Sequence, residues 1–473
     1  MFFPVVIALY WMLPHRLRWI LLLVSSYYFY MSWNVKYVVL ILFTTVVSYV
    51  AALLMQRTSD ARKRKWILAA TLVSCLGVLF LFKYFNLFSG AVASLISTFV
   101  RPVAPLTLRF LLPVGISYYT FQTLAYVIDV YRGDVEAEKH FGYYATFISY
   151  FPQLVAGPIE RTDRLLPQIR AKYVFDEANA LYGAKLMLWG FFKKLVIADN
   201  LAPYVDRVFG DVYANSGFSF LLVLAFGFLQ VYCDFSGYSD IARGTAKWMG
   251  IELMENFTSP LFSSSLREFW ARWHISLSTW FRDYVYIPLG GSRHGKLRRD
   301  LNLLATFLLC GLWHGADWTF VLWGGFHGLG QIVEEIPPLR QKKTEGHILK
   351  ALRTLGVFFF FVISIIFFRS ANLHEMAYVF SNLLTGISQP VHYLWKGFAD
   401  INLYKEMLLG YVVMFFAPLV IFDYLAYKHG KNGVEVLDEK NKALQWAFWL
   451  MIGLVTVFFA PKGVPENFVY FQF

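Results

Sequence analysis

The sequence predicts an all-α, polytopic integral membrane protein, and three observations carry that expectation. Of 473 residues, 58% are hydrophobic and 19% aromatic, a composition far from that of a soluble domain. The mean hydropathy is positive. Apolar runs close to the roughly 20 residues that a bilayer requires recur along the whole chain.

Taken in order, the runs at 17–33, 37–55, 66–82, 110–130, 218–232, 354–368, 407–422 and 446–459 read as spanning helices. Those at 2–13, 88–100, 141–155, 181–197, 301–313 and 318–330 are shorter, interrupted or amphipathic, and read as tilted spans, half-helices or re-entrant pieces. About eleven to fifteen transmembrane or re-entrant helices are therefore expected. No hydrophilic stretch is long enough for a separate soluble domain, and no fixed-period repeat appears. Residues 1–473 are expected to form a single membrane-embedded domain. The apolar N-terminus has no basic segment ahead of it, so it reads as a retained anchor rather than a cleaved signal.

The formal net charge of +12 does not point to nucleic acid, because the cations lie in short loops between spans instead of lining one groove. The basic loops 57–65, 293–299 and 340–343 are expected on the cytoplasmic side. Working outward from the first places the turn 15–18 inside and 34–36 outside. Cys75, Cys233 and Cys310 each fall in apolar runs, too scattered for a disulfide framework or a metal cage, and read as reduced packing residues. No His pair at i, i+4 with an intervening Glu occurs, so no metal site is expected, and no phosphate-cradling glycine loop follows a strand.

Chemistry is concentrated in a few polar segments. The stretch 267–291, REFWARWHISLSTWFRDYVYIPLGG, sets charges and a histidine inside an apolar chain, where each buried charge costs roughly 2.5 to 3.5 kcal/mol. Residues 267–284 read as one helix: Trp270, Trp273, Leu277, Trp280 and Tyr284 share a face, and Arg272, Ser276, Thr279 and Asp283 share another, with Arg282 adjoining. Glu268 precedes Arg272 by four residues, the favourable order for an ion pair. Such a helix either lies in the interface or lines a wet interior, and His274 falls between its two faces.

In 310–328, CGLWHGADWTFVLWGGFHG, His314 follows a long apolar run and lies roughly 20 Å from the basic loop 293–299 at the helical rise. An imidazole so deep is expected to be neutral, the form that accepts a proton as a general base must. The plainer reading is a hydrogen bond across a helix interface. Asp317 either orients that imidazole or caps the helix starting at Trp318, and the cap is the expectation. His327, thirteen residues on, would face about 220° away on one straight helix, so it joins His314 only if Gly315 or Gly324 and Gly325 break the helix.

A third cluster, CDFSGYSDIARG at 233–244, brings Asp234, Ser236, Ser239 and Asp240 to the end of an apolar run and reads as an interrupted membrane helix. A serine triad has no signature here. The stretch 151–169, FPQLVAGPIERTDRLLPQI, breaks at Gly-Pro and then turns polar, as at a helix end on the membrane surface.

These four segments, in this order, resemble the membrane-bound O-acyltransferase family, within it the branch of the alginate O-acetylation membrane protein. The likeness is strongest over residues 111–330 and extends to the N-terminal YWMLPHRLRWILLLVSSYYFYMSWN. The resemblance implies helices packed around a central tunnel in a bacterial cytoplasmic membrane, and transfer of an acyl group from a thioester to a hydroxyl. It assigns the essential histidine of the LWHG motif to His314 and the second family position to His274. Asp234, Ser236, Asp240, Arg272, Ser276, Arg282, Asp283, Trp313, Asp317 and His327 are the further candidates for lining the substrate path. The expected donor is acetyl-coenzyme A as substrate, with no bound cofactor. The expected acceptor is an extracytoplasmic polysaccharide, reached directly or through a periplasmic or surface relay protein. D-alanyl transfer to teichoic acid and peptidoglycan O-acetylation are the alternatives within the family. An acyl or polymer transporter is the alternative outside it.

Overall fold

The computed structural model describes residues 2–337, 346–403, 410, 412–462 and 468. The basic run 340–343 and the start of the expected span 407–422 lie outside them. The chain is 76% helical, and no strand forms among the described residues. It divides into two compact units, Met1–Ala184 with Ala242–Met254, and Lys185–Ile241 with Glu255–Phe473.

The first unit is built from α1 (Phe2–Met12), α2 (His15–Trp33), α3 (Val38–Arg57), α4 (Ala61–Leu79), α5 (Phe85–Phe99), α6 (Ile116–Arg132), α7 (Phe141–Ser149), α8 (Thr162–Arg170) and the first half of α9 (Glu177–Phe191). Helix α6 is buried around its whole circumference from Ile116 to Val127, as the central helix of a bundle must be. Its Gln122 amide donates to the Phe147 carbonyl at 2.8 Å, and the hydroxyls of Ser48 and Tyr144 meet at 2.6 Å inside the same unit. Only 17% of the most apolar window of Ala61–Phe99 is buried, and its Leu, Val and Phe side chains face outward as a lipid-facing helix requires.

The second unit begins within α9, passes through a π-helical turn (Phe192–Ala198), and continues with α10 (Asp199–Gly210) and α11 (Phe218–Lys247). Then come α12 (Leu266–Arg272), α13 (Ile275–Phe281), α14 (Gly295–His314), α15 (Trp318–Glu334), α16 (His347–Arg369), α17 (Leu373–Asn382) and α18 (Pro390–Asp400). Helices α19 (Ala417–His429), α20 (Gly433–Asp438) and α21 (Lys442–Phe459) close the chain.

Among the described residues, five helices are long and apolar enough to cross a membrane: Val35–Arg57, Ala61–Phe99, Phe218–Lys247, His347–Arg369 and Lys442–Phe459. Runs 17–33 and 301–313 lie in helices of 19 and 20 residues, His15–Trp33 and Gly295–His314, that are not among these five, and runs 2–13, 141–155 and 318–330 fold as or into shorter helices. Two expectations need correction. Segment 267–284 is not one helix, because Trp273 and His274 leave helical geometry between α12 and α13. The polar cluster 233–244 does not interrupt its helix either, since α11 runs unbroken through it for 30 residues. Its charges are tolerated because they are buried in protein rather than in lipid, Asp234 and Arg243 among them.

Candidate functional site

The His314 end of the second unit is a helical hairpin. Helix α14 stops on His314, Gly315 adopts an extended conformation, and α15 restarts at Trp318 with Asp317 as its N-cap, accepting the Thr319 amide at 2.9 Å. The cap reading of Asp317 therefore holds, and the break falls at Gly315. Two glycines let the helices touch: a Cβ at Gly311 would collide with the Phe320 carbonyl, and one at Gly324 with the Phe307 carbonyl.

The hairpin returns His327 toward His314, with Trp323 between them. The Trp323 ring lies 4.9 Å from the His314 ring and 4.5 Å from that of His327. On the other side, Trp313 lies 4.9 Å from His314 and 5.9 Å from His274. The structure thus strings three buried imidazoles along two indoles, in the order His274, Trp313, His314, Trp323, His327. Phe368, from the end of α16, completes the wall around His314 at 5.4 Å.

His274 is mounted differently. It sits at φ 44°, ψ 52°, a left-handed conformation that a side-chain-bearing residue adopts at a cost of about 1–3 kcal/mol unless its surroundings impose it. The surroundings are the segment before α12. Asn256 takes the Ile275 amide on its carbonyl at 3.0 Å and the Ser276 amide on its side-chain oxygen at 3.3 Å. An antiparallel bridge joins Phe257 to Trp273, and the Thr258 amide donates to the Arg272 carbonyl at 3.0 Å. The Asn256 amide in turn reaches Ser239 on α11 at 3.3 Å. The fully buried His274 ring packs edge-on against Phe235 of that helix at 4.6 Å.

His327 is fully buried, and neither ring nitrogen has a hydrogen-bond partner among the described residues. It is enclosed by Trp270, Trp323, Phe326, Phe360 and Phe361.

The other candidates separate into three groups. Arg272 pairs with Glu268 at 3.1 Å as the spacing predicts, donates to the Thr258 carbonyl and lies over the Tyr427 ring. Ser276 is fully buried in the turn just described. Arg282 and Asp283 pair with each other at the exposed end, in a π-helical turn (Arg282–Tyr286), and the structure does not bring them to the histidines.

Asp234, Ser236 and Asp240 belong to a charge network that the sequence reading missed. Lys193 bonds Asp240 at 2.7 Å and Ser236 at 2.9 Å, and Lys194 bonds both Asp199 and Asp234 at 2.8 Å. Asp423 accepts the Tyr232 hydroxyl nearby. The signal was present: two consecutive lysines inside the apolar run 181–197 demand buried carboxylates. The π-helical turn accommodates them, and Gly190 against Gly237 allows the close approach. Ser236 is thus engaged by an ammonium and forms no triad.

A cavity of about 550 Å³ opens at the hairpin tip, beside the Phe320 and Phe368 rings.

The sequence matches the family described as MBOAT, membrane-bound O-acyltransferase family, over residues 137–377. It is similar to a probable alginate O-acetylase AlgI of Pseudomonas putida, 34% identical with 100% of this chain and 98% of that protein aligned. The protein of the same name from Pseudomonas syringae pv. tomato is 40% identical over 79% of this chain and 71% of its own length. A peptidoglycan O-acetyltransferase of Helicobacter pylori is 31% identical over 96% of this chain and 91% of its own.

Proposed function

Since this chain belongs to the membrane-bound O-acyltransferase family and is a multi-pass membrane O-acyltransferase, we propose that it moves an acetyl group from cytosolic acetyl-coenzyme A to hydroxyls of an extracytoplasmic, alginate-like polysaccharide. It does so from the bacterial cytoplasmic membrane, directly or through a periplasmic relay protein, with residues 1–473 acting as one catalytic domain whose core is 111–330. The observation that carries this reading is the placement of His314, at a helix end between two indoles, with the Phe368 ring between it and an open cavity.

His314 is the general base. It takes the proton of the acceptor hydroxyl as that oxygen attacks the thioester carbonyl, and the C–S bond breaks as the tetrahedral intermediate collapses. The coenzyme A thiolate then recovers the proton from the imidazolium, so the base is regenerated. The aromatic wall excludes water, which would otherwise compete as acceptor and hydrolyse the donor. His274, one indole away, holds the donor carbonyl in register, and its rigid backbone mount suits a positioning role. The exposed basic loop 293–299 meets the donor phosphates by charge attraction.

The higher identity to the alginate proteins favours their acceptor class over peptidoglycan. A D-alanyl transferase would instead require a carrier-protein thioester and ignore the free coenzyme ester. The test is release of coenzyme A from acetyl-coenzyme A by purified protein in detergent, wild type against His314→Ala at matched folding. General-base catalysis contributes about 10²–10⁴-fold, and a loss of that size is expected. An unchanged rate removes His314 from the mechanism, and absence of thioester cleavage in the wild type points to a carrier donor or to transport.

A further inference from the structure

One aromatic ring stands between His314 and the cavity at the hairpin tip. Phe368 packs on the His314 ring at 5.4 Å and also forms part of the cavity wall, to which His314 itself does not belong. The cavity is about 550 Å³, open, and bears the Asp206 and Asp317 carboxylates, so it is wet. It sits at the end of the spanning helix α16, whose last residue is Arg369, and so meets the aqueous phase rather than lipid. Phe368 therefore has solvent on one side and the general base on the other.

A base cannot by its chemistry tell an acceptor hydroxyl from water. Water that reached His314 would give up a proton to the imidazole as its oxygen attacked the thioester carbonyl. The C–S bond would break, the coenzyme A thiolate would recover the proton from the imidazolium, and the products would be acetic acid and free coenzyme A. A transferase suppresses this reaction by keeping water out of reach. At Phe368 that exclusion is one side chain thick, and the ring is held from several directions. Phe320 and Trp323 of α15 pack on it at 4.9 and 5.7 Å. Phe368 also lies in the last turn of α16, and helix ends fray at little cost. Its neighbour Arg369 ties that turn to α10, through an ion pair with Asp206 and a place over the Phe209 ring at 5.9 Å. The Arg369 side chain is only 8% exposed and that of Asp206 is 43% exposed, so the tie runs from the cavity wall into the protein.

We propose that Phe368 sets the preference of the site for an acceptor hydroxyl over water, and that the Asp206–Arg369 pair is the positioning tie that keeps its ring in place. The inference deepens the acetyl-transfer reading above and rests on it. A phenyl ring suits the task, since it is bulky, stiff and offers water no strong hydrogen bond. Cutting it back to alanine leaves a void between the wet cavity and His314, whereas an apolar side chain of similar volume keeps the way closed. The tie acts on the ring through the chain, so its loss should loosen the barrier without removing it.

The experiment follows coenzyme A release from acetyl-coenzyme A by the full-length protein in detergent without acceptor, and acetyl transfer to a deacetylated alginate oligosaccharide in its presence. Without acceptor, Phe368→Ala should release coenzyme A several-fold faster than the wild type, and Phe368→Val gives the same reading where the alanine variant does not fold. With acceptor, the share of acetyl groups lost as acetate should rise in the same variants. Adding His314→Ala should abolish the gain, which a mere loosening of the structure would not predict. Phe368→Met, which keeps most of the apolar volume, should stay close to the wild type. Asp206→Asn should raise release by less than Phe368→Ala, and Asp206→Glu, which keeps the charge, should not raise it. Release unchanged in the folded truncation variant, a gain that survives loss of His314, or an equal gain in Phe368→Met each overturn the role of Phe368. A gain in the truncation variant with Asp206→Asn at the wild-type rate overturns the tie alone. Wild-type protein that transfers no acetyl group, together with variants that split no thioester, instead overturns the transfer reading beneath.

Discussion

His314 and His274 are both buried in the second unit and both touch Trp313, yet the chain holds them by opposite means. His314 takes its position from packing: a helix ends on it, a second helix turns back, and glycine at 311 and 324 draws the pair close enough to wall the imidazole with indoles. His274 takes its position from backbone hydrogen bonds around a left-handed residue, at a site where no helix could pass. A ring at the end of a hairpin is defined by its neighbours, and here one of them, Phe368, also lines a cavity. A ring on a pinned, strained turn is defined by its own main chain and keeps one orientation. The first arrangement suits a group that meets substrate and the second a group that must not move.

Changes on the His314 side are expected to be the larger. His314→Ala should cost about 10²–10⁴-fold in thioester turnover, far more than the modest fall in melting temperature expected from the cavity left among Trp313, Trp323 and Phe368. Gly324→Val tests the mount instead of the ring. Its side chain meets the Phe307 carbonyl, and overpacking of this kind costs about 1–3 kcal/mol. A lowered melting temperature is expected together with reduced turnover. A stable Gly324→Val protein with full activity would show that the hairpin's closeness does not set the His314 environment.

The same contrast explains what could be read from sequence. His314 was legible because a helix end leaves local marks: Gly315 after the apolar run, then Asp317 as the cap of α15, whose bond to the Thr319 amide is a contact between near neighbours in the chain. The break at His274 was not, because the amphipathic spacing of Trp270, Trp273, Leu277 and Trp280 continues across it, and the residues that impose the turn, Asn256 to Thr258, lie well upstream in a segment without a helical pattern. Periodicity reports which side chains are buried and is silent on a single residue's φ. The lysine network was missed for a related reason. Asp234 and Asp240 stood out as polar residues ending an apolar run, but their partners Lys193 and Lys194 come from another helix, and a long-range ion pair leaves no spacing to count. Asp240 and Ser236 therefore read as residues at a break in a membrane helix, when Asp240 neutralises a buried ammonium and Ser236 accepts a hydrogen bond from it.

On the His274 side, effects should be smaller and should fall first on stability. Asn256→Ala removes the oxygen that accepts the Ser276 amide and the amide that reaches Ser239, at a cost of about 1–3 kcal/mol for buried hydrogen-bonding groups. A lower melting temperature with a moderate loss of turnover is expected, and stability equal to that of the wild type would mean that the bridge between Phe257 and Trp273 suffices to hold the turn.

The sharpest separation of mount from chemistry is His274→Gly. Glycine enters the left-handed region without the steric cost that histidine bears at φ 44°, which favours the variant by about 1 kcal/mol. Against this stands the cavity left where the imidazole packed on Phe235 and Trp313. The two terms oppose, so the melting temperature should move little, whereas turnover should fall if the ring holds the donor. His274→Asn makes the complementary change, since asparagine tolerates the left-handed region and keeps a short polar group. Turnover in His274→Asn above that in His274→Gly, at equal stability, is the result expected of a polar positioning group. Equal turnover in both variants and the wild type would leave the turn as a structural device alone, and the transfer chemistry would then rest on the hairpin histidine without a second imidazole.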